Sequence, residues 1–262
     1  SWTLDKLGPM ARSADDCGLI LATIAGRDLA DPSSLPNGFE YAGPPDPKLV
    51  RRRPWRIAVP KGALEKVQPA VRANFELALA AFGGLAEITR DVPWPDLPWG
   101  PAVGTIVGAE GASAFLDLIE SGGLAQLACP RDRYAGYAGA AVTAVDYLQA
   151  LRLRGPMMDA MNDLFVSFDA IATPGRASVA YPADVEFGKA WPGVSGGPPV
   201  IPAGNLCGLP AICVPSGFGE MGLPTSIAFL GPALSESSLV LMANDVQSKL
   251  KLGGKLPPGV EK

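Results

Sequence analysis

Apolar residues recur with two different periods along this chain, and the two periods alternate. Short apolar runs bounded by proline or glycine are typical of buried strands, and they occur at 56–62, 85–93, 169–174, 211–218 and 225–231. Longer segments repeat apolar residues at the spacing of one helix face. The strand, helix and strand over 56–93 predict a parallel pair. We therefore expect an α/β fold, an αβα sandwich with a mixed, largely parallel central sheet and helices on both faces.

Turn and capping residues mark the ends of the predicted helices. These helices span about 13–25, 69–82, 102–120, 143–166 and 235–250. Ser13, Thr143 and Ser235 stand at three of the starts, where a hydroxyl can accept a hydrogen bond from an unpaired backbone N–H. Gly155-Pro156 lies inside the longest helix, and we expect it to kink or interrupt that helix.

A Pro/Gly-rich surface excursion at about 31–54 separates the first helix from the first strand. We find no internal repeat, and we expect residues 1–262 to belong to a single domain. Three consecutive arginines, 51–53, end the excursion, and we interpret them as a solvated loop or the start of a strand.

Composition narrows the class of protein. The chain has 262 residues, of which 48% are hydrophobic and 18% charged, which suits a packed core. A net charge of −4 and a pI near 5.0 speak against nucleic-acid binding. No apolar segment reaches the length of a membrane span, and the four scattered cysteines are typical of reduced thiols. We therefore expect a cytoplasmic protein that acts on a small molecule.

The chain contains no histidine, which limits its chemistry. Ser-His-Asp and Cys-His nucleophiles and histidine-ligated metal sites are all excluded. The segment GVSGG at 193–197 fits the G-x-S-x-G nucleophile pattern, but Ser195 has no histidine to take its proton. We interpret this segment as a glycine-rich turn, and we expect no catalytic nucleophile, metal or cofactor in this chain.

Several motifs follow one another in a fixed order. TLDKLGPMARSADD is followed by GRDLADPSS, then by RIAVPKG, DYLQALRLR and FDAIATP, and finally by GNLCGLPAICVPSGF and GLPTSIAFLGP. Each motif is weak by itself. Together they span nearly the whole chain, and the ordered set resembles the amidase signature family.

The resemblance covers the C-terminal half of a single amidase-like domain. In that family an upstream glycine- and serine-rich segment supplies the nucleophilic serine, a cis-serine and oxyanion donors, and an earlier lysine is the base. No segment here matches it, so we expect the triad to come from a missing N-terminal half or a companion chain. A lysine whose pKa is lowered by burial would also let a hydrolase work without histidine.

The resemblance implies an amidase that hydrolyses carbon–nitrogen bonds in linear amides, with this chain supplying the substrate cleft and inactive alone. Two alternatives stay open: a non-catalytic accessory or binding subunit with the same fold, and the glutaminase-type A subunit of a tRNA-dependent amidotransferase. The expected partners are the amide, the half that carries the triad and, as an option, a second copy in a homodimer. Without the other half, the sheet should leave an edge and an apolar face uncovered.

Arg154 is the first candidate for substrate binding. It occupies the arginine of a Y-x-x-A-x-x-x-R pattern that begins at Tyr147. In glutamine-using relatives this arginine pairs with the carboxylate of the substrate, and guanidinium and carboxylate groups form two parallel hydrogen bonds. The alternative is a structural arginine that binds carbonyl groups at strand ends.

The same relatives place an aspartate seven residues before the asparagine of N-L-x-G-L-P, where it binds the substrate's amino group. Counting back from Asn205, this chain has Pro198 at that position. The departure disfavours free glutamine and the amidotransferase role, and it favours a more apolar or neutral amide.

Asn205 and Trp191 are the other two predicted substrate-binding residues. Asn205 and Gly208 either border the pocket or only form a tight turn. Trp191, Phe187 and Trp99 either line an acyl pocket or pack in the core.

The remaining polar candidates have weaker support. Glu110 either faces the cleft or lies on a solvated helix face. Lys6 and Lys61 are expected at the surface, and we assign no chemistry to Cys213 or Ser216.

Overall fold

The chain divides into two units, and one of them is built on a five-stranded sheet. The computed structural model describes residues 1–36, 38–41, 43, 53–252, 255 and 259. The helical unit comprises Ser1–Leu7, Pro95–Asp163 and Pro199–Leu209, and the sheet unit comprises Gly8–Trp94, Leu164–Pro198 and Pro210–Lys262.

The sheet has the spatial order β2-β1-β3-β5-β4. Its strands are β1 (Trp55–Pro60), β2 (Ala86–Val92), β3 (Ala170–Pro174), β4 (Ala211–Phe218) and β5 (Pro224–Leu230). β1 pairs in parallel with β2 and β3, whereas β5 is antiparallel to β3 and β4. β5 therefore runs against the other strands, which confirms the predicted α/β fold with a mixed sheet; two of the four strand pairings are parallel.

Helices occur in both units, whereas all five strands belong to the sheet unit. They are α1 (Ala14–Ile24), α2 (Pro69–Ala80), α3 (Trp99–Ala114), α4 (Leu116–Glu120), α5 (Asp132–Ala140), α6 (Ala144–Ser167), α7 (Phe187–Ala190), α8 (Val200–Leu206) and α9 (Glu236–Leu250). Short 3-10 turns lie at Gly83–Leu85, Gly123–Gln126 and Glu220–Gly222. Among the described residues, no helix combines the length and the apolar character needed to cross a membrane.

The core of the sheet unit lies where α2 and α9 pack on β4 and β5, with α1 against α9. Alternate strand residues contribute to this core because successive side chains of a strand point to opposite faces. The buried strand residues are Ile57, Val59, Ala170, Ala172, Val214, Ile227 and Phe229. Phe82 meets Phe229 edge to face, with ring centroids 5.8 Å apart.

The two edge strands of the sheet differ in charge. β2 exposes Glu87, Arg90 and Asp91, whereas β4 exposes only uncharged residues, Ala211, Cys213 and Pro215. Charged side chains on an edge strand oppose pairing with another chain. β4 pairs only with β5 among the described residues, so its second edge lacks this protection.

In the helical unit, α3 and α5 cross where two glycines meet. A Cβ added to Gly139 would lie 2.4 Å from the carbonyl oxygen of Gly108. The two backbones can approach this closely only because Gly139 carries no side chain.

Two of the predicted caps are confirmed. The backbone N–H of Asp16 donates to the Ser13 hydroxyl at 3.0 Å, and that of Asp146 donates to the Thr143 hydroxyl at 3.1 Å. Ser235 precedes α9 as predicted but does not cap it, because its hydroxyl donates instead to the carbonyl of Pro232.

The helices differ from the predictions in three places. The segment 102–120 is two helices, since Phe115 leaves the helical region at φ −112° and ψ 29°. The longest helix is not interrupted at Gly155-Pro156, because α6 continues through Pro156 as far as Ser167. α5 was not predicted at all; its nine residues, DRYAGYAGA, include two glycines, which are poor helix formers.

The basic run before β1 marks the start of a strand. Arg53 binds both carboxylate oxygens of Asp169, at 2.6 and 2.8 Å, and the backbone N–H of Arg56 binds the same carboxylate at 2.9 Å. These bonds tie the start of β1 to the start of β3. Arg51, Arg52 and part of the excursion at 31–54 lie outside the described residues.

Candidate functional site

The C-terminal end of α8 brings several of the candidate residues together. Gly208 follows the helix with φ +64°, a conformation that glycine adopts without strain. Its N–H donates to the carbonyl of Asn205, and the N–H of Leu209 donates to that of Gly204 at 2.9 Å. This pair of bonds is a Schellman motif. The tight turn expected as one role of Asn205 and Gly208 is therefore present.

Two cations also bind carbonyl groups at this helix end. The Lys6 ammonium donates to the carbonyls of Gly204 and Leu209, at 2.9 and 2.6 Å. Arg154 donates through Nε to the carbonyl of Leu206 at 2.9 Å. Positive charge at a helix C-terminus complements the partial negative charge of its carbonyls. Burial lowers the pKa of the Lys6 ammonium, although the nearby Cys207 opposes that shift.

Arg154 uses only part of its guanidinium group in this contact. The side chain is partly buried, and its two terminal nitrogens have no hydrogen-bond partner among the described residues. Nε is thus fixed by the scaffold while the terminal fork is free to bind an acceptor. The Nε contact is the structural role expected as the alternative for Arg154, although it is made at a helix end and not at a strand end. The two terminal nitrogens, which the binding role requires, have no protein partner among the described residues.

The side-chain amide of Asn205 also has no hydrogen-bond partner among the described residues, although the residue is partly buried. Cys207, two positions later, is buried between the two cations. Burial raises the pKa of its thiol to about 11, although the charges of Arg154 and Lys6 lower it. The thiol is therefore protonated at neutral pH and is not a nucleophile.

Glu110 on α3 corresponds to neither of its two predicted roles. Its carboxylate accepts hydrogen bonds from the hydroxyls of Ser1 and Thr3, from the Thr3 N–H at 3.0 Å and from the Tyr147 hydroxyl at 2.8 Å. Burial raises the pKa of this carboxyl, but the four hydrogen bonds outweigh it and bring the pKa to about 2. Glu110 links three separate parts of the helical unit.

Trp191 belongs to the sheet unit. Its residue is partly exposed, but the indole Nε1 is buried and has no hydrogen-bond partner among the described residues. A buried indole N–H without a partner is unusual in a folded protein. Phe187 begins α7, and its side chain lies outside the described residues.

Trp99 does not line a pocket. It is 1% exposed, and its indole N–H donates to the carbonyl of Pro95 at 2.9 Å, so the core alternative is correct. The glycine-rich turn at 193–197 is confirmed: the N–H groups of Ser195 and Gly196 both donate to the carbonyl of Lys66, and Gly193 and Gly196 have positive φ.

Ser216 and Lys61 differ in burial. Ser216 is buried and its hydroxyl lies 3.0 Å from that of Thr225, and Lys61 is exposed. Among the described residues, no group of His, Cys, Asp and Glu side chains is arranged to hold a metal ion.

Comparison with known proteins places the chain in a family. A family model described as Amidase matches residues 1–240. The chain belongs to the amidase family. This assignment confirms the resemblance drawn from the ordered motifs.

Three individual relatives are each similar to nearly the whole of this chain but to only part of their own length. The A subunit of glutamyl-tRNA(Gln) amidotransferase from Deinococcus radiodurans is 26% identical over 94% of this chain and 55% of its own length. The solved peptide amidase of Stenotrophomonas maltophilia is 25% identical, with a TM-score of 0.71 over 100% of this chain and 56% of its own. A chain from a vestigial protein complex, described as revealing the origins of an s-triazine catabolic enzyme, is 25% identical with a TM-score of 0.70, covering 92% of this chain and 52% of its own. The chain thus spans about half the length of the relatives it matches.

Two contacts of this site were not predicted from the sequence. Lys6 was expected only at the surface, yet its ammonium binds the end of α8, and Glu110 was not recognised as the link between Thr3 and Tyr147. Both contacts join residues far apart along the chain, 198 and 107 positions for Lys6 with Gly204 and Thr3 with Glu110. The only local sign was that Lys6 and Tyr147 lie within family motifs.

Proposed function

We propose that this chain forms the substrate-binding half of an amide hydrolase of the Ser–cis-Ser–Lys type. The triad belongs to polypeptide outside these residues, either a further segment or a companion chain. A serine Oγ attacks the amide carbonyl, the amine leaves with the proton passed on by the lysine, and water then releases the acid. Membership of the amidase family supports this reaction.

The observation that carries the proposal is the free fork of Arg154 and the free amide of Asn205 at the end of α8. Donors held on a rigid helix end without protein partners are what a substrate oxygen needs. A guanidinium fork matches a carboxylate with two parallel hydrogen bonds. We infer that Arg154 and Asn205 bind an anionic or carbonyl oxygen of the acyl part of the substrate.

Trp191 is the third proposed substrate-binding residue. Its buried, unpartnered indole N–H is a donor that a bound acceptor would satisfy, at little cost in side-chain entropy. The rest of the ring is apolar and suits the hydrocarbon part of an acyl chain.

Pro198 limits the substrate. A proline has no side-chain carboxylate, so its side chain offers no negative charge to pair with an ammonium group. The substrate is therefore a linear amide that is neutral where glutamine carries its amino group. The A-subunit function of the Deinococcus relative stays the second candidate, because that protein and this chain share the fold and the motifs.

Three amides of equal chain length distinguish these functions: glutamine, glutaramate, which lacks the amino group, and pentanamide, which also lacks the carboxylate. The chain would be assayed with the companion polypeptide that carries the glycine- and serine-rich motif. We expect glutaramate to be hydrolysed with a higher kcat/KM than glutamine. A preference for glutamine would favour the amidotransferase role.

Replacing Arg154 by lysine tests the site itself. A lysine cannot make the bidentate contact, and a charged hydrogen bond contributes about 1.5–3 kcal/mol, so we expect the KM for glutaramate to rise roughly tenfold or more. The KM for pentanamide should stay unchanged. Arg152→Lys, an exposed position on the same helix, is the matched control. Equal effects of the two variants would contradict the assignment.

The chain alone should not hydrolyse any of these amides. Mass spectrometry of the active preparation should detect a second polypeptide, or a longer one, that contains the glycine- and serine-rich motif. Relatives that are a subunit or part of a protein complex support a companion. Activity of this chain shown free of other polypeptides, and lost on replacing one of its own serines, would overturn the proposal. A stable, inactive monomer would favour the non-catalytic accessory role.

A further inference from the structure

The Glu110 carboxylate joins three parts of the helical unit that are distant in sequence. The N-terminal segment contributes Ser1 and Thr3, α3 contributes Glu110 itself, and α6 contributes Tyr147. All four donors are neutral groups, so no ion pair offsets the charge of the carboxylate among the described residues. Partly buried carboxylates keep their charge through several such bonds.

Two of the joined parts also carry the cations at the end of α8. Lys6 follows Thr3 by three residues, and Arg154 follows Tyr147 by seven residues on α6. Residues seven apart on a helix lie on the same face, about 10.5 Å along the axis. Glu110 therefore binds Thr3 and Tyr147, and the two segments that contain these residues also carry Lys6 and Arg154, whose side chains bind the end of α8.

The far ends are anchored at helix-end carbonyls. Lys6 binds Gly204 and Leu209, and Arg154 binds Leu206 through one nitrogen. Both side chains are long and flexible, and such chains lose much rotamer entropy when they are held in one place. A fixed backbone at Thr3 and Tyr147 lowers that cost, because it limits where the two side chains can start.

We propose that Glu110 is a positioning residue, which sets the place of Arg154 through Tyr147 and the place of Lys6 through Thr3. The role of Arg154 in binding substrate rests on the function proposed above, but the positioning itself does not. Glu110 acts only through these two residues and does not itself contact the substrate.

The test measures each arm of the link separately in the full chain, in the assembly in which it is purified. Arg154 is followed by NMR of arginine labelled with ¹⁵N, through its Nε–H signal, assigned by its loss in Arg154→Lys. Lys6 is followed by its rate of acetylation with acetic anhydride, measured by mass spectrometry of the peptide. Neither readout requires turnover.

Tyr147→Phe removes only the hydroxyl that joins α6 to Glu110. We expect the Arg154 Nε–H signal to shift and its exchange with water to accelerate about fivefold, the ratio for one net hydrogen bond. Acetylation of Lys6 should stay unchanged. Thr3→Val removes one hydroxyl from the other arm and should give the opposite result, with Lys6 acetylated about fivefold faster and the Arg154 signal in place.

Glu110→Gln should change both readouts. Glu76→Gln is the matched control, since Glu76 also loses a carboxylate that accepts two hydrogen bonds, from Arg90 in the sheet unit. An unchanged Arg154 signal in Tyr147→Phe, or equal changes in Glu76→Gln, would overturn the proposal. If Glu110→Gln fails to fold, the two single-hydroxyl variants still decide.

Kinetics separate this proposal from the function. In the active assembly, Tyr147→Phe should raise the KM for glutaramate and leave that for pentanamide and both kcat values unchanged. If Arg154→Lys itself leaves the KM for glutaramate unchanged, the proposed function fails, whereas the NMR result still supports or overturns the positioning role.

Discussion

Asp169 shows how a single carboxylate can hold two strand starts together. It accepts two hydrogen bonds from Arg53, one from the Arg56 N–H and a longer one from the Arg56 side chain at 3.3 Å. Burial raises the pKa of the carboxyl, but these bonds outweigh it and lower the pKa from 3.8 to about 2. The Arg53 side chain is exposed, so solvent screens the contribution of this ion pair to stability.

Replacing Asp169 by asparagine should lower the free energy of unfolding at pH 7 by about 1–2 kcal/mol. Because the folded pKa lies below the ordinary value of 3.8, the stabilisation is complete above that pH and is lost as the pH falls toward 2. Urea denaturation at pH 7 and at pH 3 measures the difference. Asp163→Asn, a carboxylate for which no bond is seen among the described residues, serves as the control. A loss of stability that is independent of pH would contradict the ionic origin.

Single-residue roles could be predicted where the partner is near in sequence. Ser13 and Thr143 were recognised as caps because the N–H each accepts from lies three residues on. Ser235 had the same pattern, yet a competing carbonyl at Pro232 took its hydroxyl. Glu110 could not be interpreted, since its partners lie 37 to 109 residues away and no local pattern encodes them. Of the three proposed binding residues, the sequence indicated the type of chemistry but not which atoms are free.

At the scale of elements, the crossing of α3 and α5 depends on the absence of a side chain at Gly139. Gly139→Ala would place a methyl group against the carbonyl of Gly108, and forced repacking of this kind costs about 1–3 kcal/mol. Gly104→Ala on α3 meets no atom within 4 Å. That variant should stabilise the helix by about 0.5–1 kcal/mol, because alanine is the better helix former.

The two variants should therefore shift the melting temperature in opposite directions. Differential scanning fluorimetry on the same preparation measures both. A decrease of similar size for both variants would mean that the α3–α5 contact does not depend on the close approach at Gly139.

Elements themselves were largely predictable, and the reasons for the misses are physical. All five strands are short apolar runs ended by proline or glycine, and α2 buries Val71, Phe75 and Leu79 as its period indicates. α5 is nine residues long, contains two glycines and buries only Gly139, so its sequence is a weak helix signal. α6 continues through Pro156, which the local penalty for a proline inside a helix does not predict. The order of the strands joins segments more than a hundred residues apart, and the sequence pattern does not contain it.

At the scale of the whole molecule, the two edges of the sheet differ in their protection against pairing with another chain. β2 carries exposed charges at Glu87, Arg90 and Asp91, which is how edge strands avoid pairing. β4 is eight residues long and exposes no charge. The relatives are nearly twice as long as this chain, so a companion segment on the β4 side fits the proposed function.

Adding a charge to each edge tests this difference in the chain alone. We expect the unmodified chain to self-associate as its concentration rises, because an uncharged open edge pairs with other strands. Ala211→Lys on β4 should reduce that association, whereas Thr89→Lys on β2 should leave it unchanged, since that edge is already charged. Analytical ultracentrifugation over a series of concentrations measures the average mass of each variant. A chain that stays monomeric throughout, or an equal effect of the two lysines, would mean that the β4 edge is not where this molecule meets its partner.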